Sequence, residues 1–161
     1  MQPLLVERSD WKGEIFINEI YNYSEDLNLS PVTQVQAVCF DENGQIVLYK
    51  HIDGYFGLPG GKVEEGEDLE KALAREIMEE TACELIESKV FAYVKSWKES
   101  SPEKVTYNLR YYAKVKLLDQ PVQDPAGKAI ERILVDKNEA TEKLNWGEKG
   151  KILIDLAVDC Q

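Results

Sequence analysis

Three glutamates, Glu76, Glu79 and Glu80, stand at positions i, i+3 and i+4. On a helix this spacing would bring their side chains together on one face. Like charges at this spacing repel one another by on the order of a few tenths of a kcal/mol per pair, even in water. Carboxylate oxygens are ligands that Mg²⁺ and Mn²⁺ prefer. The cluster therefore indicates chemistry on a phosphate-bearing substrate, assisted by a divalent metal ion.

The helix that must carry these glutamates is predicted from about Glu67 to about Ala82. Its apolar residues fall over much the same azimuth as the glutamates, taking 100° per residue. A solvated Glu-rich helix would instead place the two sets on opposite faces. Arg75 can offset one buried charge, but a single guanidinium cannot neutralise three carboxylates, so divalent cations are the remaining candidates. The apolar stripe comprises Leu69, Ala72, Leu73 and Ile77.

A glycine-rich stretch precedes the helix, with four glycines and a proline in the eight residues Gly54 to Gly61. Gly60 and Gly61 have no Cβ, so the backbone can approach a ligand closely near a helix N-terminus. Such a loop alone is a weak signal. Its position shortly before an acidic helix face makes a phosphate-binding site the favoured interpretation.

Residues 59–83 read PGGKVEEGEDLEKALAREIMEETAC. This segment resembles the signature of the Nudix hydrolases, G-x5-E-x7-R-E-U-x-E-E-x-G-U, where U is a bulky apolar residue. Ala82 replaces the second glycine and Cys83 the last apolar residue. In the family that glycine ends the helix, so we expect Ala82 to be left-handed with some strain. The matching positions are Gly61, Glu67, Arg75, Glu76, Ile77, Glu79 and Glu80.

The resemblance implies hydrolysis of a phosphoanhydride bond in a nucleoside triphosphate, a nucleotide sugar such as ADP-ribose, or a dinucleoside polyphosphate. It also implies Mg²⁺ or Mn²⁺ as the cofactor. It assigns catalytic roles to Glu76 and Glu80, of which Glu76 would help to deprotonate the attacking water, and to Arg75, which would orient a glutamate. Glu67 would support Arg75 or the loop. The implied metal ligands are Glu76, Glu79, Glu80 and the carbonyl of Gly60.

Members of this family often recruit a further acidic residue from outside the motif. Glu131, which opens the late strand IERILV, is our candidate metal ligand, followed by Asp119 and Asp124. An exposed charge at a strand end is an equally good interpretation of Glu131. For the substrate base, Trp97 and Phe56 are the candidate stacking residues, because aromatic side chains stack bases in nucleotide pockets. Packing on a sheet face is the favoured alternative for most of the aromatic residues, given their strand spacing.

Composition limits the partners and the compartment. Nineteen basic and 30 acidic residues give a net charge of −11, which argues against a nucleic-acid polymer as partner. We expect a small-molecule nucleotide instead. The three cysteines form no C-x-x-C pair, and no stretch is long and apolar enough to span a bilayer. The sequence therefore predicts a soluble, cytoplasmic protein without a membrane partner.

The surrounding elements are predicted from periodicity and turn signals. Most strands are joined by hairpins and the helices are few, so we expect one α/β domain over residues 1–161. Its architecture would be an α/β/α sandwich with a mixed sheet. Residues 1–30 would form an N-terminal extension that covers a sheet edge or makes a homodimer contact. Strands are predicted at 12–23, Thr33–Phe40, Ile46–Lys50, Val90–Ser96, Thr106–Leu117 and Ile130–Val135, and further helices at Glu139–Leu144 and Lys149–Val158.

Two other functions stay open at this stage. A Nudix-like domain could sense a nucleotide without cutting it, although such domains usually lose carboxylates that this chain keeps. An isomerase of prenyl diphosphates would need an additional acid/base pair that commonly includes a cysteine, and Cys39 and Cys83 are the available thiols. The single histidine, His51, is interpreted as a turn residue at a strand end.

Overall fold

The computed structural model describes residues 1–161 and confirms the α/β class with a mixed sheet. No helix is long and apolar enough to cross a membrane. The elements are, in chain order, β1 Leu5–Trp11, β2 Glu14–Asn22, β3 Val32–Phe40, β4 Ile46–His51, β5 Phe56–Gly57, β6 Gly60–Lys62, α1 Leu69–Thr81, β7 Cys83–Lys98, β8 Ser101–Leu117, β9 Ala129–Val135, α2 Lys137–Leu144 and α3 Glu148–Val158.

The strands form one sheet in the order β1-β2-β7-β8-β3-β4-β5, with β6 paired to β3 and β9 paired to β4. Only the central pair β3–β8 is parallel, and all other pairs are antiparallel. A parallel pair cannot be closed by a hairpin. The long connection between β3 and β8 contains the glycine-rich stretch and α1, and it returns to the centre of the sheet.

Helices cover both faces of the sheet. Successive residues of the central strands point to opposite faces, so they belong to two separate apolar clusters. Ala37 lies in the apolar cluster under α1, which also contains Leu73 and Ile77. Its neighbour Val38 lies in the second cluster, under α2 and α3, together with Ile154. The predicted α/β/α sandwich therefore has α1 alone on one face of the sheet.

Residues 41–44, with the turn signal Asn43-Gly44, form the turn between β3 and β4. Asp41 Oδ1 accepts hydrogen bonds from the backbone N–H groups of Asn43 and Gln45, at 3.0 and 2.8 Å. Gly44 has a φ of +77°, which glycine adopts without strain. At the other end of β4, the Nδ1 of His51 accepts from the Asp53 N–H at 3.0 Å. The single histidine is thus a strand-end turn residue.

Residues 1–30 contain two strands, of which β1 was not predicted. The hairpin β1–β2 extends the sheet, and β2 pairs with β7 from Phe16↔Lys98 to Asn22↔Ala92. Ile20 is fully buried, whereas most of β1 is exposed. Because β1 is an edge strand with many polar residues, it lacks the apolar alternation of a core strand.

The predicted strands Val90–Ser96 and Thr106–Leu117 leave the polar residues 97–105 as a loop between β7 and β8, and this loop was wrong. Both strands continue through it, and Lys98 pairs with Ser101 around the two-residue turn Glu99–Ser100. The residues at these ends of β7 and β8 are mostly exposed, so their strands do not need the apolar side chains that a core strand carries. Pro102 is exposed there. Polar composition therefore failed to separate a solvated strand end from a loop.

Candidate active site

Helix α1 begins at a capped N-terminus and buries one side against the sheet. Asp68 is the N-cap, and its side chain accepts from the N–H groups of Glu70 and Lys71 at 3.0 and 3.2 Å. Such a cap satisfies backbone donors that have no partner within the helix. The fully buried residues of the helix are Ala72, Leu73, Ile77 and Thr81.

Arg75 connects the loop after β6 to the acidic face of α1. Its Nε and one terminal nitrogen donate to the two oxygens of Glu67 at 2.8 and 3.0 Å. Its other terminal nitrogen donates to Glu76 Oε1 at 3.1 Å and lies 3.5 Å from Glu79 Oε2. The hydrogen bond from Arg75 lowers the pKa of Glu67 to about 2. Glu67 also accepts from the Glu64 N–H at 3.0 Å, so it contacts both the arginine and the loop.

Glu76 lies directly beneath the glycine-rich stretch. Its side chain is 14% exposed, and a Cβ on Gly61 would fall on its carboxyl group. Burial raises the pKa of Glu76, although Arg75 opposes the shift. Residue 61 must therefore lack a side chain for Glu76 to occupy this place.

Glu80 contacts the backbone of Gly60. Its Oε1 accepts from the Gly60 N–H at 2.8 Å. The Pro59 carbonyl accepts from the Ala37 N–H, and the Val63 N–H donates to the Thr33 carbonyl. Because hydrogen-bonded residues alternate along an antiparallel pair, the N–H and C=O groups of Gly60 point away from β3, on the side of Glu80. Burial raises the pKa of Glu80 to about 8, against the hydrogen bond from Gly60 and with a contribution from the charge of Glu76.

The donor set on this face fits a hard divalent cation, because it consists of partly buried carboxylates and a backbone carbonyl. Glu76 and Glu79 share one guanidinium with Glu67, and Glu80 has no cationic partner, which leaves excess negative charge. No three ligating side chains converge closely enough to hold an ion as they stand. Glu76 and Glu79 are turned to Arg75, and Glu80 is turned to Gly60. Coordination would therefore require rotation of these side chains.

The end of α1 carries the substitution noted in the motif. Ala82 is the C-cap, with φ 51° and ψ 41°, which is the left-handed conformation expected for it. Its carbonyl and that of Thr81 accept from Arg132, at 2.8 and 3.1 Å, and Arg132 also donates to the Leu118 carbonyl at 2.8 Å. Arg132 on β9 thus fixes the end of the acidic helix, a role not recognised from the sequence.

The acidic candidates outside the motif lie in different places. Glu131 is exposed on β9, with its carboxylate 3.9 Å from Lys50. Asp119 is exposed in the loop after β8. Of the three candidates, Asp124 is the one whose charge raises the pKa of both Glu76 and Glu80. Its oxygens accept from backbone N–H groups at Ala126, Lys128 and Ala129.

The two aromatic candidates, Trp97 and Phe56, lie in different parts of the structure. Trp97 lies near the end of β7, paired with Ile17, and the Lys95 ammonium lies 5.5 Å from its ring. Gly61 pairs with Val35 on β3, Val35 pairs with Leu109 on β8, and Leu109 pairs with Tyr93 on β7. Tyr93 therefore lies at the level of Gly61, and Trp97 lies four residues further along β7. Phe56 packs against the cluster under α2, below the ammonium of Lys143 at 4.8 Å.

A model of the NUDIX domain matches residues 31–156. An RNA pyrophosphohydrolase of Wolbachia pipientis is 38% identical over 65 residues, which are 39% of this chain and 39% of that protein. The Bacillus subtilis protein named "Putative 8-oxo-dGTP diphosphatase YtkD" is 35% identical over 77 residues, which are 48% of this chain and 47% of that protein. The matched stretches thus span less than half the length of either relative.

Solved structures share the fold. A mutant of the Bacillus subtilis pyrophosphohydrolase BsRppH superposes with a TM-score of 0.71 at 20% identity, covering 98% of each chain. A NUDIX hydrolase from Nitrosomonas europaea gives a TM-score of 0.61 at 19% identity, covering 78% of this chain and 87% of its own. At these identities the likeness concerns architecture alone.

Proposed function

This chain belongs to the NUDIX domain family, and we propose that it is a hydrolase that cleaves a phosphoanhydride bond in a nucleoside diphosphate derivative with Mg²⁺ or Mn²⁺. The observation that carries the proposal is the excess of carboxylates on α1. Glu76, Glu79 and Glu80 lie on one partly buried face with a single guanidinium among them. Unpaired buried charge is unfavourable, and a divalent cation compensates it.

Each residue of the site has a distinct task in this proposal. A bound divalent ion supplies charge for the diphosphate oxygens and acidifies water. Glu76, Glu79, Glu80 and the Gly60 carbonyl supply oxygen ligands, and Arg75 orients Glu76 while Glu67 holds Arg75. Glu76 and Glu80 are also the candidate general bases, because their carboxyl groups lie on the partly buried face directly beside Gly61 and Gly60. Proton removal by a positioned carboxylate contributes roughly 10²- to 10⁴-fold in rate.

The substrate is expected to carry a 5′ polyphosphate chain. One relative is named an RNA pyrophosphohydrolase and the other a putative 8-oxo-dGTP diphosphatase, and both names describe cleavage between phosphate groups. The net charge of −11 favours a small nucleotide over a long polyanion. Nucleotide sugars and dinucleoside polyphosphates are the next classes to examine.

A substrate screen tests the proposal. The purified protein is incubated with Mg²⁺ or Mn²⁺ and a panel of compounds, and the products are identified by mass. The panel contains nucleoside di- and triphosphates including 8-oxo-dGTP, ADP-ribose, dinucleoside polyphosphates and a 5′-triphosphorylated oligoribonucleotide. We expect release of phosphate, pyrophosphate or a nucleoside monophosphate from at least one class. Silence across the panel would instead favour a domain that senses a nucleotide without cutting it.

Two variants assign the activity to this site. Glu79→Gln and Glu80→Gln should lose most of the activity, because each removes a charged ligand, while circular dichroism shows an unchanged fold. Glu87→Gln, on the exposed part of β7, is the matched control and should retain full turnover. Normal turnover by Glu79→Gln with Mg²⁺ would contradict the assignment.

The isomerase alternative is disfavoured by the thiols. Cys39 and Cys83 are both buried, and burial raises both pKa values. Neutral, inaccessible thiols are poor acid/base groups at neutral pH. A prenyl diphosphate included in the screen should therefore be returned unchanged.

We take residues 1–161 as one domain that acts on a small-molecule nucleotide. Ile20 of β2 is buried in a cluster with Val94 of β7 and Leu153 of α3, so the N-terminal hairpin shares a core with the rest of the chain. A homodimer contact through the exposed strand β1 stays a prediction, which light scattering across a range of concentrations can test.

A further inference from the structure

Tyr49 on β4 projects from the sheet on the side of α1. Val47, two residues earlier, lies in the apolar cluster under α1, and residues two apart on a strand share a face. The residue that pairs with Tyr49 on β5 is Gly57. A Cβ on Gly57 would lie 2.5 Å from Cζ and from the hydroxyl oxygen of Tyr49. The ring therefore leans across β5, and its hydroxyl lies beside the glycine-rich stretch.

The other neighbour of β4 places Tyr49 at the level of the end of α1. There Tyr49 pairs with Arg132 on β9, whose guanidinium binds two carbonyls at the end of the helix. Glu80 stands in the last turn of this helix, and its carboxylate accepts from the Gly60 N–H at 2.8 Å. The Tyr49 hydroxyl and the Glu80 carboxylate thus both border the glycine-rich stretch.

The charge of Glu80 acts on the Tyr49 hydroxyl. Burial raises the pKa of Tyr49, and Glu80 makes the next largest contribution, ahead of Tyr55, Asp124 and Glu76. A tyrosine ordinarily loses its proton only near pH 10. Tyr49 is therefore a neutral hydrogen-bond donor at neutral pH.

Both groups have unused capacity for hydrogen bonds. The Tyr49 hydroxyl forms no hydrogen bond to the protein, and the side chain is half-buried rather than enclosed. Glu80 accepts one bond, from Gly60, and has no cationic partner. An ionised carboxylate can accept about four hydrogen bonds, so Glu80 has room for a further donor.

We propose that the Tyr49 hydroxyl positions Glu80 for divalent-metal binding by donating a hydrogen bond to one oxygen of its carboxylate. Glu80 must turn away from the Gly60 N–H to offer its other oxygen to a cation, and Tyr49 supplies the donor that Glu80 then loses. Hydrogen-bond partners of this kind fix the orientation of metal-binding carboxylates. The metal in this inference rests on the proposed function.

A ring that only covers a glycine is the alternative role for Tyr49. Aromatic side chains pack over glycines of a neighbouring strand, and such packing needs the ring but not the hydroxyl. Tyr49→Phe keeps the ring and removes the hydroxyl alone. Its melting temperature in EDTA should equal that of wild type, because the hydroxyl has no protein partner to lose.

Metal binding is measured without substrate, by electron paramagnetic resonance of Mn²⁺ and by calorimetry. Tyr49→Phe should bind Mn²⁺ about tenfold more weakly than wild type, which is the effect of removing a partner of a metal ligand. The matched control is Tyr112→Phe. It removes a hydroxyl from a ring in the cluster under α2 and α3, on the opposite face of the sheet, and should bind Mn²⁺ like wild type.

A double-mutant cycle shows whether Tyr49 acts through Glu80. Glu80→Ala removes the carboxylate that the hydroxyl would position, so adding Tyr49→Phe to it should weaken Mn²⁺ binding no further. In the Glu79→Gln background the carboxylate of Glu80 is still present. There Tyr49→Phe should again cost about tenfold in affinity.

Three results would overturn the role of Tyr49. They are equal Mn²⁺ affinity in Tyr49→Phe and wild type, a lower melting temperature of Tyr49→Phe in EDTA, and a further loss of affinity when Tyr49→Phe is added to Glu80→Ala. A wild type that binds no Mn²⁺ would overturn it together with the proposed metal site. Because these measurements need no hydrolysis, a silent substrate screen with the coupling intact would refute the hydrolase proposal and leave the role of Tyr49 standing.

Discussion

Arg75 divides its charge unequally among the glutamates around it. Both oxygens of Glu67 accept from it at 2.8 and 3.0 Å, whereas Glu76 receives one bond at 3.1 Å and Glu79 lies at 3.5 Å. A two-point contact fixes the planar guanidinium, and the remaining nitrogen orients Glu76. Most of the positive charge is therefore matched by Glu67, which leaves the carboxylates of α1 with unmet negative charge.

The pairing of Glu67 predicts a loss of stability in acid. The folded-state pKa is about 2, below the ordinary value of 4.5, so the unfolded chain binds the proton more tightly. The stabilisation is fully present above about pH 4.5 and is lost as pH falls toward 2. In urea melts between pH 7 and pH 3, the advantage of wild type over Glu67→Gln should shrink as the pH drops.

Glu65→Gln is the control for this series, because Glu65 is exposed and forms no ion pair. Its difference from wild type should stay constant over the same pH range. A Glu67→Gln difference that is equally independent of pH would show that the Arg75 contact does not perturb Glu67.

Two neighbouring glycines should respond differently to the addition of a methyl group. In Gly61→Ala the Cβ meets the flexible end of Glu76, so the protein should fold while Glu76 is displaced, with a fall in kcat of about tenfold or more. In Gly60→Ala the Cβ meets backbone atoms of Val35 and Gln36, which cannot move aside. We expect a loss of about 1 to 3 kcal/mol in the free energy of unfolding.

Melting temperatures and turnover of the two alanine variants, measured side by side, check this contrast. The interpretation fails if Gly61→Ala is the less stable protein, or if its turnover equals that of wild type.

At the scale of elements, the sequence predicted what depends on neighbouring residues. The acidic helix was expected from about Glu67 to about Ala82 and spans Leu69–Thr81, because periodicity and the Asp68 cap are local signals. The contact of Glu80 with Gly60 depends on how segments distant in sequence are placed. The same is true of the register that pairs Gln36 with Gly60 on one side and with Arg110 on the other. Register follows from the packing of whole strands, which no local pattern contains.

Arg110 left a weak signal in the sequence. It stands in LRYY, where apolar residues of both parities surround it, which is typical of a strand buried on both faces. The burial of its Nε without a hydrogen-bond partner becomes visible only once the strand is placed in the sheet.

The end of α1 should be improved by the glycine that the motif normally carries. Ala82 has a φ of +51°, and a left-handed conformation costs a residue with a Cβ about 1 to 2 kcal/mol. Glycine loses about 0.5 to 1 kcal/mol of that gain to chain entropy. Ala82→Gly should therefore stabilise the protein by about 0.5 to 1 kcal/mol in chemical denaturation.

Ala74→Gly provides the control, because Ala74 is half-buried in the middle of the same helix. There glycine should destabilise by about 1 kcal/mol. Equal destabilisation by both substitutions would mean that the left-handed residue carries no strain.

At the scale of the molecule, a divalent cation should raise stability through the glutamates. A ligand that binds only the folded state adds about 2.7 kcal/mol at a concentration about one hundred times its Kd. Mg²⁺ or Mn²⁺ should therefore raise the melting temperature of wild type, and EDTA should reverse the rise. Glu79→Gln should respond much less, whereas an equal response from this variant would place the ion elsewhere.

The N-terminal hairpin lies outside the matched NUDIX domain, yet it should contribute to global stability. Ile20 is fully buried beside Ala92, Val94 and Leu153, so Ile20→Ala should lower the free energy of unfolding by about 2 to 5 kcal/mol. Val6→Ala on β1, where the side chain is 55% exposed, should change it by less than about 0.5 kcal/mol. Similar small effects from both would show that the hairpin unfolds independently.

The contacts of Arg132 also concern the order in which the chain is made. On the ribosome α1 emerges first, and the guanidinium that holds the Thr81 carbonyl follows 51 residues later. The parallel partner of β3 also follows much later than β3 itself, since Thr33 bonds to Asn108, 75 residues further along the chain. A nascent chain arrested before β9 has every residue of the motif but lacks the hydrogen bonds from Arg132 to the end of α1. The proposed hydrolytic activity should therefore arise late in translation, after β9 has left the ribosomal tunnel.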